Sequence, residues 1–402
     1  MTTHAPAPLA EPRLGDRSLF PDLSFFSYLN HAGVSPPSIP VRRAVEDLLS
    51  AYGRGGGQAV SEVLGLRGRL RKRLAQLLGV DPANVALTSG ASHGIQAVAL
   101  SLPWQAGDRI VLFEGEFPAN VTPWQRAAAL FGLQIAFLPV KAFEESVEEG
   151  LSLLEQVLQS GARVVAVSAV QFRTGFLMPL ALMAELCARY GAELFVDAIQ
   201  ALGVVPFDAG QLGVDYVAAG AHKWLMGSEG AGVLYVRPER VAQLRPALAG
   251  WLSHEDPASF LTEGKGHLRY DRPLRQEASV FEASSSSSLS QAALAASLEI
   301  LLGLGIDNIH RHVNRYLDRL EPGLKARGFA SRRSREPSRR SGILSLEAPP
   351  GSDAKALRAA LKEAGVAVAI PDGLVRFAPH WPNDPEREVD GVLAAVDRAL
   401  RF

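Results

Sequence analysis

Short apolar runs recur along the first two thirds of this chain and alternate with stretches of helical character. Residues 85–88, 109–113, 134–138, 163–168, 194–196 and 232–236 each read as a buried strand, and segments such as 180–190 between them read as helices. Apolar strands alternating with helices predict an α/β fold, a mostly parallel sheet covered on both faces. In such a sheet ligands sit at the carboxyl ends of the strands, so polar residues just past those ends are the first candidates for chemistry.

The pattern changes after about residue 255. A long helical region, 290–320, is interrupted near Gly303-Leu304-Gly305, and beyond it come an apolar run at 342–346, a helix over 353–364, strands over 366–370 and 374–377, and a last helix over 384–400. The expected division is an N-terminal arm (1–27), a large domain (28–260) and a smaller α+β domain (261–402), which the 402 residues suffice to build. The serine tract 284–290 reads as a flexible linker. The basic run 332–340 reads as a solvated loop, or as a surface for an anionic substrate.

Lys and Arg together number 41 against 42 Asp and Glu, which gives no electrostatic reason to expect nucleic acid or an anionic membrane. The single cysteine, Cys187, excludes a disulfide framework and fits a cytoplasmic setting. No leader pattern opens the chain, no apolar run approaches the length of a bilayer span, and no cluster suggests a metal.

Several residues carry candidate chemistry. Thr88-Ser89-Gly90-Ala91-Ser92-His93-Gly94 lies between a strand and a helix; it reads either as an anion cradle of free N–H groups or as an ordinary capped turn. It is neither a nucleotide P-loop nor a dinucleotide fingerprint. Asp197 ends a strand, with Gln200 three residues on, and reads as a partner for a protonated pyridine nitrogen or as a turn cap. Lys223, in Ala221-His222-Lys223-Trp224-Leu225, is flanked by apolar residues; burial there would lower its amine pKa and favour a Schiff base over a surface role. Phe117 is either a core aromatic or a platform for a flat ring. Arg376, among apolar strand residues, reads equally as the anchor of a substrate carboxylate or as half of a salt bridge. His380 follows at what reads as the rim of the site.

Together these residues resemble the class V aminotransferase-like family of pyridoxal 5'-phosphate enzymes, which includes cysteine desulfurases, kynureninases and isopenicillin N epimerase-like proteins. The resemblance runs from Tyr28-Leu29-Asn30-His31 to Arg376-Phe377-Ala378-Pro379, and is most specific at Asp197-Ala198-Ile199-Gln200, 221–225 and Gly230-Ala231-Gly232-Val233-Leu234-Tyr235. It implies fold type I, with a large and a small domain. It further implies that Lys223 attaches the cofactor with His222 beside it, that Asp197 meets the ring nitrogen and Gln200 the phenolic oxygen, and that Ala91 and Ser92 bind the phosphate. Phe117 then stands where desulfurases stack a histidine, and Gln171, in Ser168-Ala169-Val170-Gln171, contacts the cofactor face. Ser285 corresponds to a residue reaching the neighbouring subunit's cofactor phosphate, which implies that the serine tract is not a linker and that the protein is a homodimer with shared active sites. Asn30 and Arg376 fall to the substrate.

Departures from the family pattern bear on the reaction. Gly220 replaces a phosphate-binding Ser or Thr, Cys187 does not match the desulfurase cysteine, Ala369 stands where desulfurases carry an arginine, and Trp381-Pro382-Asn383 replaces the usual Tyr-Asn. The expectation is an enzyme acting on an amino acid, an aminotransferase first because transamination needs no further catalytic residue, with a keto acid as acceptor. A kynureninase-like hydrolase, a β-eliminating lyase, an epimerase-like racemase and a non-catalytic cofactor-binding protein are the alternatives.

Overall fold

A computed structural model describes residues 10–401; residues 1–9 of the expected N-terminal arm lie outside the described residues. Its strands are β1 (Ser27–Tyr28), β2 (Val85–Thr88), β3 (Arg109–Glu114), β4 (Gln134–Pro139), β5 (Val164–Ser168), β6 (Glu193–Asp197), β7 (Tyr216–Gly220), β8 (Gly232–Val236), β9 (Ala330–Ser331), β10 (Leu344–Glu347), β11 (Val366–Ala367) and β12 (Val375–Phe377). Seven of them form the central sheet in the order β2-β8-β7-β6-β5-β3-β4. Neighbours from β7 to β4 run parallel, and β8 lies antiparallel between β2 and β7.

Successive side chains alternate between the two faces, as the pleat requires. Ile110, Leu112, Val164 and Ala166 enter one core with Ile95, Trp124 and Phe195, while Val111, Phe113, Val165 and Val167 enter the other with Leu194, Val196 and Val217. The expected parallel α/β architecture is present. The sequence reading had no strand at β7, whose Ala218-Ala219-Gly220 half offers no branched or aromatic side chain and so little strand signal. Small residues are needed there: a β-carbon on Gly94 of the covering helix Ala91–Ser101 would stand 2.8 Å from the Ala218 β-carbon.

The C-terminal part carries a three-stranded antiparallel sheet, β12-β10-β9, and β11, which pairs in parallel with β1. The interrupted helical region is two helices, Ser288–Leu304 and Ile306–Lys325, meeting at 79° across Gly305, whose φ of 80° suits glycine. Two expectations are corrected here. The serine tract is not a linker: its second half begins the Ser288–Leu304 helix, and Ser287 caps it by accepting from Ser290 N at 3.2 Å. The basic run is not simply a solvated loop. Arg333 is buried, its guanidinium paired with Asp318 at 2.6 Å and Glu321 at 3.1 Å, so acids on the neighbouring helix draw it inward. Among the described residues no single helix is long and apolar enough to cross a membrane.

Glu282 ties the serine tract to the sheet. Its buried carboxylate pairs with Arg67 at 2.5 Å and Arg71 at 2.7 Å, and accepts Leu87 N of β2 at 2.9 Å. Truncation would leave two guanidinium groups and a strand N–H without their acceptor. Glu282→Ala is expected to lower the unfolding free energy by about 3 kcal/mol, measured by urea denaturation.

Candidate active site

The candidate residues gather where the sheet topology predicts, past the carboxyl ends of β2, β3, β5, β6 and β7. The chain order reverses between β3 and β5, and the residues after these two strands meet across that gap.

Asp197 closes β6 and is buried. One oxygen, Oδ1, accepts Ile199 N at 3.0 Å, and among the described residues nothing donates to the other. Burial pushes its pKa up to about 6, against the opposing pull of the Ile199 N–H and the Lys223 charge. Lys223 lies three residues past β7. Burial lowers its amine to about 8; Asp197 holds it up and Arg376 presses it down. Its Nζ stands 5.4 Å from the centre of the Phe117 ring. Phe117 is 46% exposed, so it is not a core aromatic, and its ring meets Phe172 edge-on at 5.4 Å.

Arg376 does not form the salt bridge that was one of its two readings. Among the described residues no carboxylate pairs with it; Nη1 donates to Phe172 O at 2.9 Å and the buried Nε has no partner. Burial lowers this guanidinium to about 10. The salt-bridge alternative is therefore not realised within this chain, and a buried cation so poorly satisfied has capacity for an anionic partner. Asn30, bridged to Ala378 just beyond β12, has a buried Oδ1 that also lacks a partner.

The turn at Gly90 leads into the helix Ala91–Ser101, whose first N–H groups point out of the helix end. Its backbone is packed against the start of β8: a β-carbon on Gly232 would come within 2.7 Å of the Gly90 α-carbon. Gly232 pairs with Gly220, so the cradle lies beside the strand that leads to Lys223. At Gly220 the departure has a steric counterpart. A β-carbon at 220 would stand 3.2 Å from Ile199 Cδ1 and 3.4 Å from the ring of His222, so the space beside Gly220 is bordered by both side chains. Ser92 is exposed at the helix end.

Gln200 is buried with both ends of its amide engaged, donating to Ala32 O at 3.1 Å and accepting from Trp224 Nε1 at 2.7 Å. Gln171 is buried in the turn after β5 and donates to Glu116 at 3.1 Å. Ser285 is exposed and has no hydrogen bond to the other candidates, so the site of this one chain does not include it.

Glu116 was missed in the sequence because an acid in a turn resembles a surface residue. It is buried and accepts Ser168 N at 2.6 Å, Ser168 Oγ and Gln171 Nε2, joining the ends of β3 and β5 one residue before Phe117. Burial pushes it up to about 7, and the nearby Asp197 charge adds to the rise. His380 was expected at the rim; it is fully buried instead, its ring between those of Trp224 and His31.

Pyridoxal 5'-phosphate fits this set. The chain offers N–H groups for a phosphate, a carboxylate with one free oxygen for a ring nitrogen, a flat aromatic face, and an amine of lowered pKa for an aldehyde. Residues 28–373 match the family described as aminotransferase class-V. The chain is 28% identical over 378 residues to the uncharacterized aminotransferase YcbU of Bacillus subtilis, covering 92% of this chain and 94% of that one. It is 26% identical over 345 residues to isopenicillin N epimerase of Streptomyces clavuligerus, covering 84% and 85% respectively. Among solved structures, a mutant of C-DES with glycine covalently linked to its PLP cofactor aligns with a TM-score of 0.85 at 25% identity, over 95% of this chain and 98% of that one. The chain therefore belongs to the class-V aminotransferase family, and is a pyridoxal-phosphate-dependent enzyme acting on amino acids.

Proposed function

We propose that this enzyme is an aminotransferase, passing the amino group of an amino acid to a keto acid. The observation that carries the reading is the company kept by Lys223. Its amine, lowered to about 8, is acted on by the charges of Asp197 and Arg376 and stands 5.4 Å from the centre of Phe117, a ring with no proton to give. Transamination moves one proton between two carbons, which a single mobile amine can do. Elimination is helped by an acid for the leaving group, and racemisation by a second proton carrier on the opposite face; neither has an evident candidate at the Phe117 position.

When bound, the cofactor supplies an electron sink for the substrate carbon that loses its proton. Asp197 holds the proton on the ring nitrogen. Ala91 and Ser92 hold the phosphate, with His222 in place of the missing hydroxyl at 220. Gln171 and Gln200 border the ring, and Phe117 covers it. Arg376, with Asn30 nearby, holds the substrate carboxylate and thereby fixes which bond at the α-carbon faces Lys223. Against a desulfurase stands Cys187, buried in the helix Leu180–Arg189 with its thiol pushed up to about 12 by burial, together with Ala369 in place of an arginine.

With a panel of amino acids, turnover is expected only when a keto acid such as 2-oxoglutarate is supplied. Release of ammonia, alanine or sulfide without an acceptor would overturn the reading, and loss of optical activity alone would favour a racemase. Attachment has its own pH signature. An amine reacts only when neutral, so capture of pyridoxal phosphate by cofactor-free protein, trapped with borohydride, should rise about tenfold per pH unit and level off above about 8. Lys223→Ala should give no trapped product at any pH.

The same reading includes a homodimer, with Ser285 serving the partner's site. Its support is a run of exposed apolar side chains: Trp251, Phe260, Leu261 (67%), Leu268 (61%) and Tyr270 (89%). Leu268→Glu with Tyr270→Glu is expected to yield a monomer by light scattering, with weakened cofactor retention; a stable double-mutant dimer would show that the contact lies elsewhere.

A further inference from the structure

The turn that carries Lys223 is held by its carbonyl oxygens. Ser35 N donates to His222 O at 2.8 Å and Ser35 Oγ donates to Lys223 O at 2.7 Å, while His380 Nε2 lies 2.8 Å from Trp224 O. The tautomer of His380 follows from its other nitrogen. Trp381 N donates to Nδ1 at 2.7 Å, so Nδ1 is the acceptor and Nε2 carries the hydrogen given to Trp224 O. Burial holds the ring neutral, with its pKa down to about 4.

His380 follows Arg376 closely, just beyond the end of β12, and Trp224 is the residue after Lys223. One imidazole hydrogen bond therefore spans from the strand end bearing the guanidinium to the turn bearing the amine. The Ser35 contacts hold the same turn from the other side, with His31 Nδ1 behind Ser35 Oγ at 2.7 Å. Without the His380 donor, the Trp224 carbonyl would be left unpaired next to the reactive lysine, and the turn could relax away from the β12 end.

We propose that His380 is a positioning residue: through the Trp224 carbonyl it fixes the Lys223 turn against the strand end that carries Arg376, and so sets where the amine points. The inference rests on Lys223 being the attachment point and Arg376 the carboxylate anchor. Displacing a reacting amine by a fraction of an ångström slows its reaction without removing any reacting group.

Glutamine and methionine have similar shape at position 380, and only glutamine carries a donor that reaches Trp224 O. Cofactor-free wild type, His380→Gln and His380→Met are given pyridoxal 5'-phosphate, and the borohydride-trapped product is followed over time, with unfolding midpoints measured alongside. His380→Met should capture about tenfold more slowly than wild type, and His380→Gln should recover most of that loss at a similar midpoint. Equal rates in the two variants would overturn the proposal, since packing alone would then explain the residue. If the methionine variant is recovered unfolded, His380→Asn replaces it, keeping an acceptor for Trp381 N but lacking the reach to Trp224. Lys223→Ala runs beside them: a trapped product in that variant overturns the attachment reading itself, whereas its absence with equal His380 rates overturns only the positioning role.

Discussion

Lys223 and Arg376 are two cations within each other's field in a buried pocket, with Asp197 as the acid that holds the amine's charge up. Taking an ion out of water costs several kcal/mol unless partners replace the hydration shell, and here the replacement is incomplete on purpose-built faces. Arg376 has one carbonyl and an orphaned Nε, and Asp197 has an oxygen to spare. The unmet demands are of opposite sign, and both groups act on the same amine. On the proposed reading, a ligand carrying a carboxylate and a protonated ring nitrogen would satisfy both.

Much of this was legible in the sequence because the informative residues sit at punctuation marks of the fold. Asp197 and Lys223 stand just past buried strands, and an apolar run ending in an acid is a readable sign. Arg376 was visible for the same reason, although only its surroundings could decide between salt bridge and anchor. What escaped depends on distant partners. Glu116 looks like a turn acid until Ser168 and Gln171 are brought over it by the reversal of strand order. His380 looks exposed until Trp224 and His31 close around it. Arg333, in a run of basic residues, is drawn inside by acids on another helix. β7 was missed because the close approach of a helix demands small residues there, and small residues erase the strand pattern.

The chemistry separates in the same way. Family membership and cofactor rest on features spread over most of the chain, whereas the choice among reactions rests on a few side chains facing the substrate. On the proposed reading, the phenyl ring at 117 leaves one face without a proton carrier, and Gly220 with His222 alters how the phosphate end would be held. Neither change disturbs the sheet, which is why one scaffold can serve transamination, elimination and racemisation.

The bridge between Asn30 and Ala378 carries a consequence for biosynthesis. Leu29 O accepts Ala378 N at 2.8 Å, and His31 N donates to Ala378 O at 3.1 Å, so one wall of the pocket joins segments roughly 350 residues apart. On the ribosome, residues near 30 emerge early and wait, unpaired, while the sheet forms beside them. The pocket closes only after residue 380 has left the exit tunnel. Arg376 and Ala378 are thus made after Lys223, and this wall of the pocket cannot form on a chain that stops short of them.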